Sequence, residues 1–170
     1  MNKILLLGLG NDILSDDAVG LKLVRSLRGE FSDNDLVDVL ETQEMGLALL
    51  DHIVGYREVV IVDSIQTGTV PPGTVHELDV DGLKTLTGRT PHFLGVGETL
   101  AFGRQLGLEM PRHTTIFAIE VADPFTVSTT MTRELEQVLP QIRSRIAETL
   151  RRKAAGDSTR HGLAAATVFQ

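Results

Sequence analysis

The stretch KILLLGLGNDILSDDAVG, residues 3–20, carries the strongest structural signal in the chain. Its apolar run, Ile4–Leu7, ends in a glycine turn and predicts a buried first strand. Asp16 and Asp17 then open an amphipathic segment with helical spacing. In open α/β proteins, ligands bind beyond the carboxyl ends of the strands, which places Asn11, Asp16 and Asp17 at the mouth of any site.

Strands and helices alternate along the rest of the sequence. Apolar runs predict strands at 36–40, 59–62, 74–79 and 114–119, and helical spacing predicts helices at 16–28, 45–54, 94–106 and from a cap at Thr130 or Thr132 to 152, with a brief helix at 81–88. Such alternation predicts a largely parallel sheet covered by helices on both faces. We expect one α/β domain over residues 1–152 and a loosely ordered tail over residues 153–170.

The composition excludes several classes of function. A net charge of −7 argues against nucleic-acid binding, which normally needs a basic surface. No apolar run approaches the roughly 20 residues that span a bilayer, and the amino terminus leads straight into a strand rather than a signal peptide. We therefore expect a cytoplasmic monomer without membrane or nucleic-acid partners.

The chain has no cysteine, so any metal must be bound by histidine, carboxylates, backbone carbonyls or water. Asp16 and Asp17 also suit a helix start, where carboxylates favour the helix dipole. Asp63 follows an apolar strand without an evident capping role, and His92 lies between a proline and a helix. Two carboxylates and an imidazole at one edge of the sheet would suit a divalent metal.

Two other interpretations fit parts of the pattern. Gly8 and Gly10 match the start of a dinucleotide fingerprint and Glu41 could mimic its ribose-binding acid, but Ile13 occupies the third glycine position. The aspartates at the helix start would also repel a pyrophosphate. Ser64 could be a nucleophile, but its neighbouring aspartate would face the other way on an extended chain.

Four motifs in order resemble the nickel–iron hydrogenase maturation endopeptidases. They are GLGNDILSDDAVG at 8–20, VDS at 62–64, PHFLG at 91–95 and IFAIE at 116–120. The resemblance extends from about residue 4 to residue 150. It implies a three-layer α/β/α fold with a twisted, mainly parallel sheet of about five strands.

The resemblance also implies an activity: removal of the C-terminal extension of the hydrogenase large-subunit precursor after nickel insertion. It implies that Asp17, Asp63 and His92 contact the metal, with nickel supplied by the substrate and zinc or cadmium as other possible occupants. Either the metal polarises the scissile carbonyl and activates a water, with Asp16 assisting proton transfer, or the three residues recognise nickel already held by the precursor. The alternative function is a non-catalytic metal- or nucleotide-binding accessory module in hydrogenase assembly.

The sequence departs from the family pattern after the second strand. Many members have a segment resembling Asp-Gly-Gly-Thr there, which is implicated in substrate recognition. This chain has ETQEMG at 41–46 instead, without the glycine pair. The difference bears on which hydrogenase the protein would serve.

Overall fold

The structure, a computed structural model, describes residues 2–80 and 95–156. Its strands and α-helices are β1 Ile4–Leu9, α1 Val19–Leu27, β2 Val37–Thr42, α2 Leu50–Ile53, β3 Glu58–Ile65, β4 Val75–Asp79, α3 Val96–Gln105, β5 His113–Glu120 and α4 Arg133–Ala154. Short 3-10 helices at Asp16–Ala18 and Gly46–Leu49 lead into α1 and α2. The predicted helix at 81–88, His92 and the tail from residue 157 lie outside the described residues.

The described strands form one sheet in the order β2-β1-β3-β5-β4. All neighbours are parallel except β4, which runs antiparallel to β5 at one edge. Every residue of β1 and β3 is buried, as expected for central strands covered on both faces. The predicted mainly parallel, five-stranded sheet is confirmed.

Alternating side chains of β3 divide the core into two layers. Val60 and Val62 pack in one apolar cluster with residues of α1 and α4. Val59 and Ile61 pack in a second cluster with residues of α2 and α3. This alternation is the period-2 geometry of a strand, and it confirms the predicted three-layer arrangement.

Two predicted elements have different bounds in the structure. The strand predicted to end at Val62 continues to Ile65, because β5 pairs with it as far as Ile65 and Glu120. Asp63 therefore lies within the strand rather than after it. The helix predicted at 45–54 is a 3-10 helix followed by the single turn of α2, since Gly46 and Gly55 have left-handed φ angles of 61° and 86° and bound it at both ends.

The last helix has the predicted apolar stripe, with Leu135, Ile142 and Ile146 fully buried. It runs two residues beyond the predicted end at Arg152, and Lys153 Nζ donates a hydrogen bond of 3.0 Å to Glu58 Oε2. Within residues 2–80 and 95–156, no helix combines the length and the apolar character needed to cross a membrane.

Candidate active site

Two glycines allow the segment that carries Asp16 and Asp17 to lie directly on the sheet. A Cβ at Gly20 would come within 2.2 Å of the Leu9 carbonyl oxygen and 2.4 Å of the Val62 carbonyl oxygen. Gly10 has a φ of 144°, and a Cβ there would lie 2.1 Å from the Asp17 carbonyl oxygen. Only glycine fits these contacts, and the result is that Asp17 is held beside the carboxyl ends of β1 and β3.

Ser64 contacts two of the three predicted metal-contacting residues, Asp17 and its own chain neighbour Asp63. Its hydroxyl donates a hydrogen bond of 2.7 Å to Asp17 Oδ1, and its backbone N–H donates one of 2.8 Å to Asp63 Oδ1. Asp17, Asp63 and Ser64 are all buried. Ser64 therefore contacts both carboxylates at the carboxyl end of β3, and the shared metal site stays a prediction.

Asp16 points elsewhere, into the connection between β5 and α4. Its carboxylate accepts hydrogen bonds from the backbone N–H groups of Ala122, Asp123 and Thr132, at 3.1, 3.0 and 2.7 Å. The Thr132 hydroxyl adds a fourth bond of 3.0 Å. Thr132 is a predicted cap residue of α4, but its hydroxyl donates to Asp16 and makes no capping hydrogen bond to the helix. These contacts favour a structural role for Asp16 over proton transfer.

The loop that Asp16 holds is further ordered by Asp123. The backbone N–H groups of Phe125 and Thr126 donate to Asp123 Oδ1 at 3.2 and 3.0 Å. Hydrogen bonds from Thr126, and then from Phe125, hold the pKa of the Asp123 carboxyl below its ordinary value. Hydrogen bonds thus order this loop next to the 3-10 helix that carries Asp17.

His92 lies outside the described residues, so the complete predicted triad is not described. The other histidines of the described part lie at separate places. His52 pairs with Glu44 at 2.7 Å, buried His76 lies 3.6 Å from Glu120, and His113 begins β5 at the opposite edge of the sheet. Over residues 2–80 and 95–156, no group of three or more histidine or acidic side chains is arranged to hold a metal.

The residues considered for nucleotide binding have other partners. Glu41, the candidate ribose-binding acid, pairs with Arg25 at 2.7 Å and with Arg28 at 3.0 Å. The hydrogen bonds that Arg25 donates to Asp12 and Glu41 raise the pKa of its guanidinium further above the ordinary value. Asn11 Oδ1 accepts a hydrogen bond from Ile13 N and shapes the turn after β1. Glu41 and Asn11 thus have structural partners in the described part.

An apolar groove opens at the same edge of the sheet. It has a volume of about 450 Å³ between the 3-10 helix at 46–49 and α3, and Leu47 and Phe102 are exposed along it. The segment that follows α3 lies at the amino end of β3, where Arg112 N donates a hydrogen bond to Arg57 O. Because α3 ends near that edge of the sheet, it begins near the opposite, carboxyl edge. Gly95 approaches Gly46 there, and Glu98 is the charged residue of the lining.

Comparison with known proteins identifies the family. The family model described as HycI, hydrogenase maturation protease, matches residues 21–149. The chain is 31% identical over 164 residues to the Hydrogenase 2 maturation protease of Escherichia coli strain K12, covering 91% of this chain and 99% of that protein. The chain belongs to the hydrogenase maturation protease family.

Solved structures agree with this membership of the hydrogenase maturation proteases. The hydrogenase maturating endopeptidase HybD from E. coli superposes with a TM-score of 0.75 at 25% identity, over 89% of this chain and 93% of that one. The NiFe hydrogenase maturation protease HybD from Thermococcus kodakarensis has a TM-score of 0.64 at 26% identity, over 87% and 98%. The resemblance drawn from the sequence motifs is therefore confirmed.

Sequence reasoning missed two polar residues of this maturation protease. The sequence pattern offers only a nucleophile role for Ser64, whereas in the structure its hydroxyl contacts Asp17 and its N–H contacts Asp63. Glu120 ends β5 as a buried acid, and its carboxylate accepts hydrogen bonds of 2.8 Å from the N–H groups of Thr67 and Gly68 and from the Thr67 hydroxyl. The available signal was a polar residue at the end of an apolar strand, the same signal that selected Asp63.

Proposed function

We propose that this hydrogenase maturation protease is an endopeptidase that removes the C-terminal extension of a nickel–iron hydrogenase large-subunit precursor after nickel insertion. The supporting observation is the convergence of two buried carboxylates, Asp17 and Asp63, on Ser64 in a chain of this protease family. Burying a carboxylate is costly unless hydrogen-bond donors or a cation compensate for its lost hydration. A cytoplasmic location and a monomeric state stay predictions from the sequence.

The chemistry of the site suits recognition of nickel that the precursor already carries. Asp17 and Asp63 supply oxygen donors of the kind that bind divalent cations, and the predicted third donor, His92, adds an imidazole. The ion supplies polarisation of a neighbouring carbonyl when it is held there. In this proposal nickel belongs to the substrate, and Asp17, Asp63 and His92 orient the precursor by binding it.

A polypeptide substrate also needs a surface along the site. The groove beside Leu47 and Phe102 starts at the carboxyl edge of the sheet, where the two carboxylates lie. An exposed apolar groove of this kind suits an apolar side chain of an extended polypeptide. It also includes Gly46, the last residue of the segment that departs from the family pattern.

The test is incubation of the purified protein with nickel-loaded and nickel-free large-subunit precursor. Intact-mass spectrometry should show loss of a C-terminal fragment in the nickel-loaded sample alone. Cleavage of both samples would refute nickel recognition. No mass change in either sample would refute the peptidase and favour the accessory binding module.

Variants identify the residues that carry the activity. Asp63→Asn and His92→Ala should abolish processing and leave the far-ultraviolet circular dichroism unchanged, because both residues are predicted to serve the site. Asp35→Asn makes the same chemical change at an exposed position and should process normally. Normal processing by Asp63→Asn or His92→Ala would remove that residue from the proposed site.

A further inference from the structure

We infer that Ser64 is a positioning residue that sets the orientation of the Asp17 and Asp63 carboxylates relative to each other. The inference rests on the proposed function, because it concerns how the same site holds its cation. It depends on two contacts: the Ser64 hydroxyl donates to Asp17 Oδ1 at 2.7 Å, and the Ser64 N–H donates to Asp63 Oδ1 at 2.8 Å.

The need for such a link follows from the sheet. Asp63 and Ser64 are consecutive strand residues, so their side chains leave the backbone on opposite faces. Ser64 continues the row of Val60 and Val62, which faces α1 and α4, whereas Asp63 continues the row that faces α2 and α3. Asp17 and Asp63 thus approach the end of β3 from different layers, and one residue between the layers donates to both.

Both hydrogen bonds have the geometry of charge-assisted contacts. A hydroxyl donating to a carboxylate at 2.7 Å holds one oxygen and restricts the rotation of the group. The Ser64 N–H does the same for Asp63 from a position fixed by the backbone of β3. Neighbours that orient carboxylate ligands in this way are worth about 10–100-fold in metal affinity or activity.

The same contacts argue against Ser64 as a nucleophile. Ser64 donates its hydroxyl hydrogen bond to the Asp17 carboxylate, whereas a serine nucleophile is usually paired with an imidazole base. The only hydroxyl proton of Ser64 is directed to Asp17. The role that the geometry supports is therefore to act through Asp17 and Asp63.

The experiment compares the wild-type chain with Ser64→Ala and Ser64→Thr. Cadmium ion alone is titrated into each protein by calorimetry, and nickel-loaded precursor is processed to obtain kcat and KM. Ser64→Ala should lower cadmium affinity and kcat/KM by about 10–100-fold, with the loss of kcat/KM mainly in KM. Ser64→Thr keeps the hydroxyl and should stay within about threefold of the wild type, on the same scale.

A double-mutant cycle separates positioning from packing. If Ser64 acts through Asp17, Ser64→Ala should have no further effect on cadmium affinity in an Asp17→Ala background. Thr114→Val is the matched control, because it removes a buried hydroxyl at the far end of β5 without changing the side-chain shape. It should bind and process as the wild type does.

Several results would overturn the inference. The first is a Ser64→Ala variant with wild-type cadmium affinity and kcat/KM. The second is a loss of cadmium affinity that Ser64→Thr does not restore and that Ser64→Ala still causes in the Asp17→Ala background. The third is a collapse of kcat with unchanged cadmium affinity, which would indicate a nucleophile. Wild-type protein that binds cadmium but leaves the precursor intact refutes the proposed function alone, and calorimetry then judges Ser64. If the wild-type protein processes precursor without binding cadmium, the effect of Ser64→Ala on kcat/KM decides the role of Ser64. If it does neither, the proposed function and the role of Ser64 are both refuted.

Discussion

Replacement of Asp16 by alanine tests whether the first of the two adjacent aspartates is structural. Its carboxylate receives four hydrogen bonds, from the N–H groups of Ala122, Asp123 and Thr132 and from the Thr132 hydroxyl. A typical protein hydrogen bond contributes about 1 kcal/mol net, because water competes for the donors in the unfolded chain. Loss of four such bonds predicts that Asp16→Ala lowers the free energy of unfolding by about 4 kcal/mol.

The expected loss is large enough to measure and small enough to leave a folded protein. Domains have unfolding free energies of about 5–15 kcal/mol, so most of the variant should stay native at room temperature. For a chain of this size, each kcal/mol shifts the melting temperature by about 2–4 °C, which predicts a drop of about 8–16 °C.

Urea denaturation followed by circular dichroism measures the change. Asp12→Ala is the matched control, because it removes an aspartate from the same loop that makes an exposed ion pair with Arg25, and it should cost less than about 1 kcal/mol. If Asp16→Ala costs no more than this control and still abolishes processing, the structural role is refuted and proton transfer is favoured.

Two further predictions concern other parts of the fold. Burial, and then the hydrogen bond to Asp38, raises the pKa of Tyr56 to about 12. The neutral phenol therefore stabilises the folded protein below the ordinary pKa of about 10, and this stabilisation is lost as the pH rises through the folded value. Tyr56 is the only tyrosine, so its absorbance titration should show that pKa in native protein and about 10 in urea; equal values would refute it. Gly20→Ala would place a Cβ 2.2 Å from a backbone oxygen and should cost about 3 kcal/mol or more in urea denaturation. Gly29→Ala, with nothing within 4 Å, should change stability by less than about 1 kcal/mol, and similar stabilities of the two variants would contradict the close contact.

The sequence predicted the layers of this fold because they follow from local patterns. A β-branched run such as Val59–Val62 indicates a central strand buried on both faces, and the apolar stripe of α4 indicates a helix that faces the core. It placed Asp63 after the strand, however, because an apolar run gives no information about how far a neighbour will continue the pairing. The length of β5 sets that limit, and it extends β3 through Asp63 and Ser64.

The site was predictable only as a list of residue types at one edge. Asp17 and Ser64 are 47 positions apart, and Asp16 and Thr132 are 116 apart, so no spacing rule connects them. From their positions alone, Asp16 and Asp17 are equally suited to a helix start. Their separate partners depend on loops whose approach is set by tertiary packing.

The divergence of Asp16 and Asp17 has a simple geometric origin. Both lie in the 3-10 helix before α1, where successive residues are rotated by about a third of a turn. One carboxylate is thereby directed at the loop before α4 and the other at Ser64. Because the same short turn fixes both, release of Asp16 would also loosen the position of Asp17. Loss of activity in Asp16→Ala thus identifies a chemical role only when stability is retained.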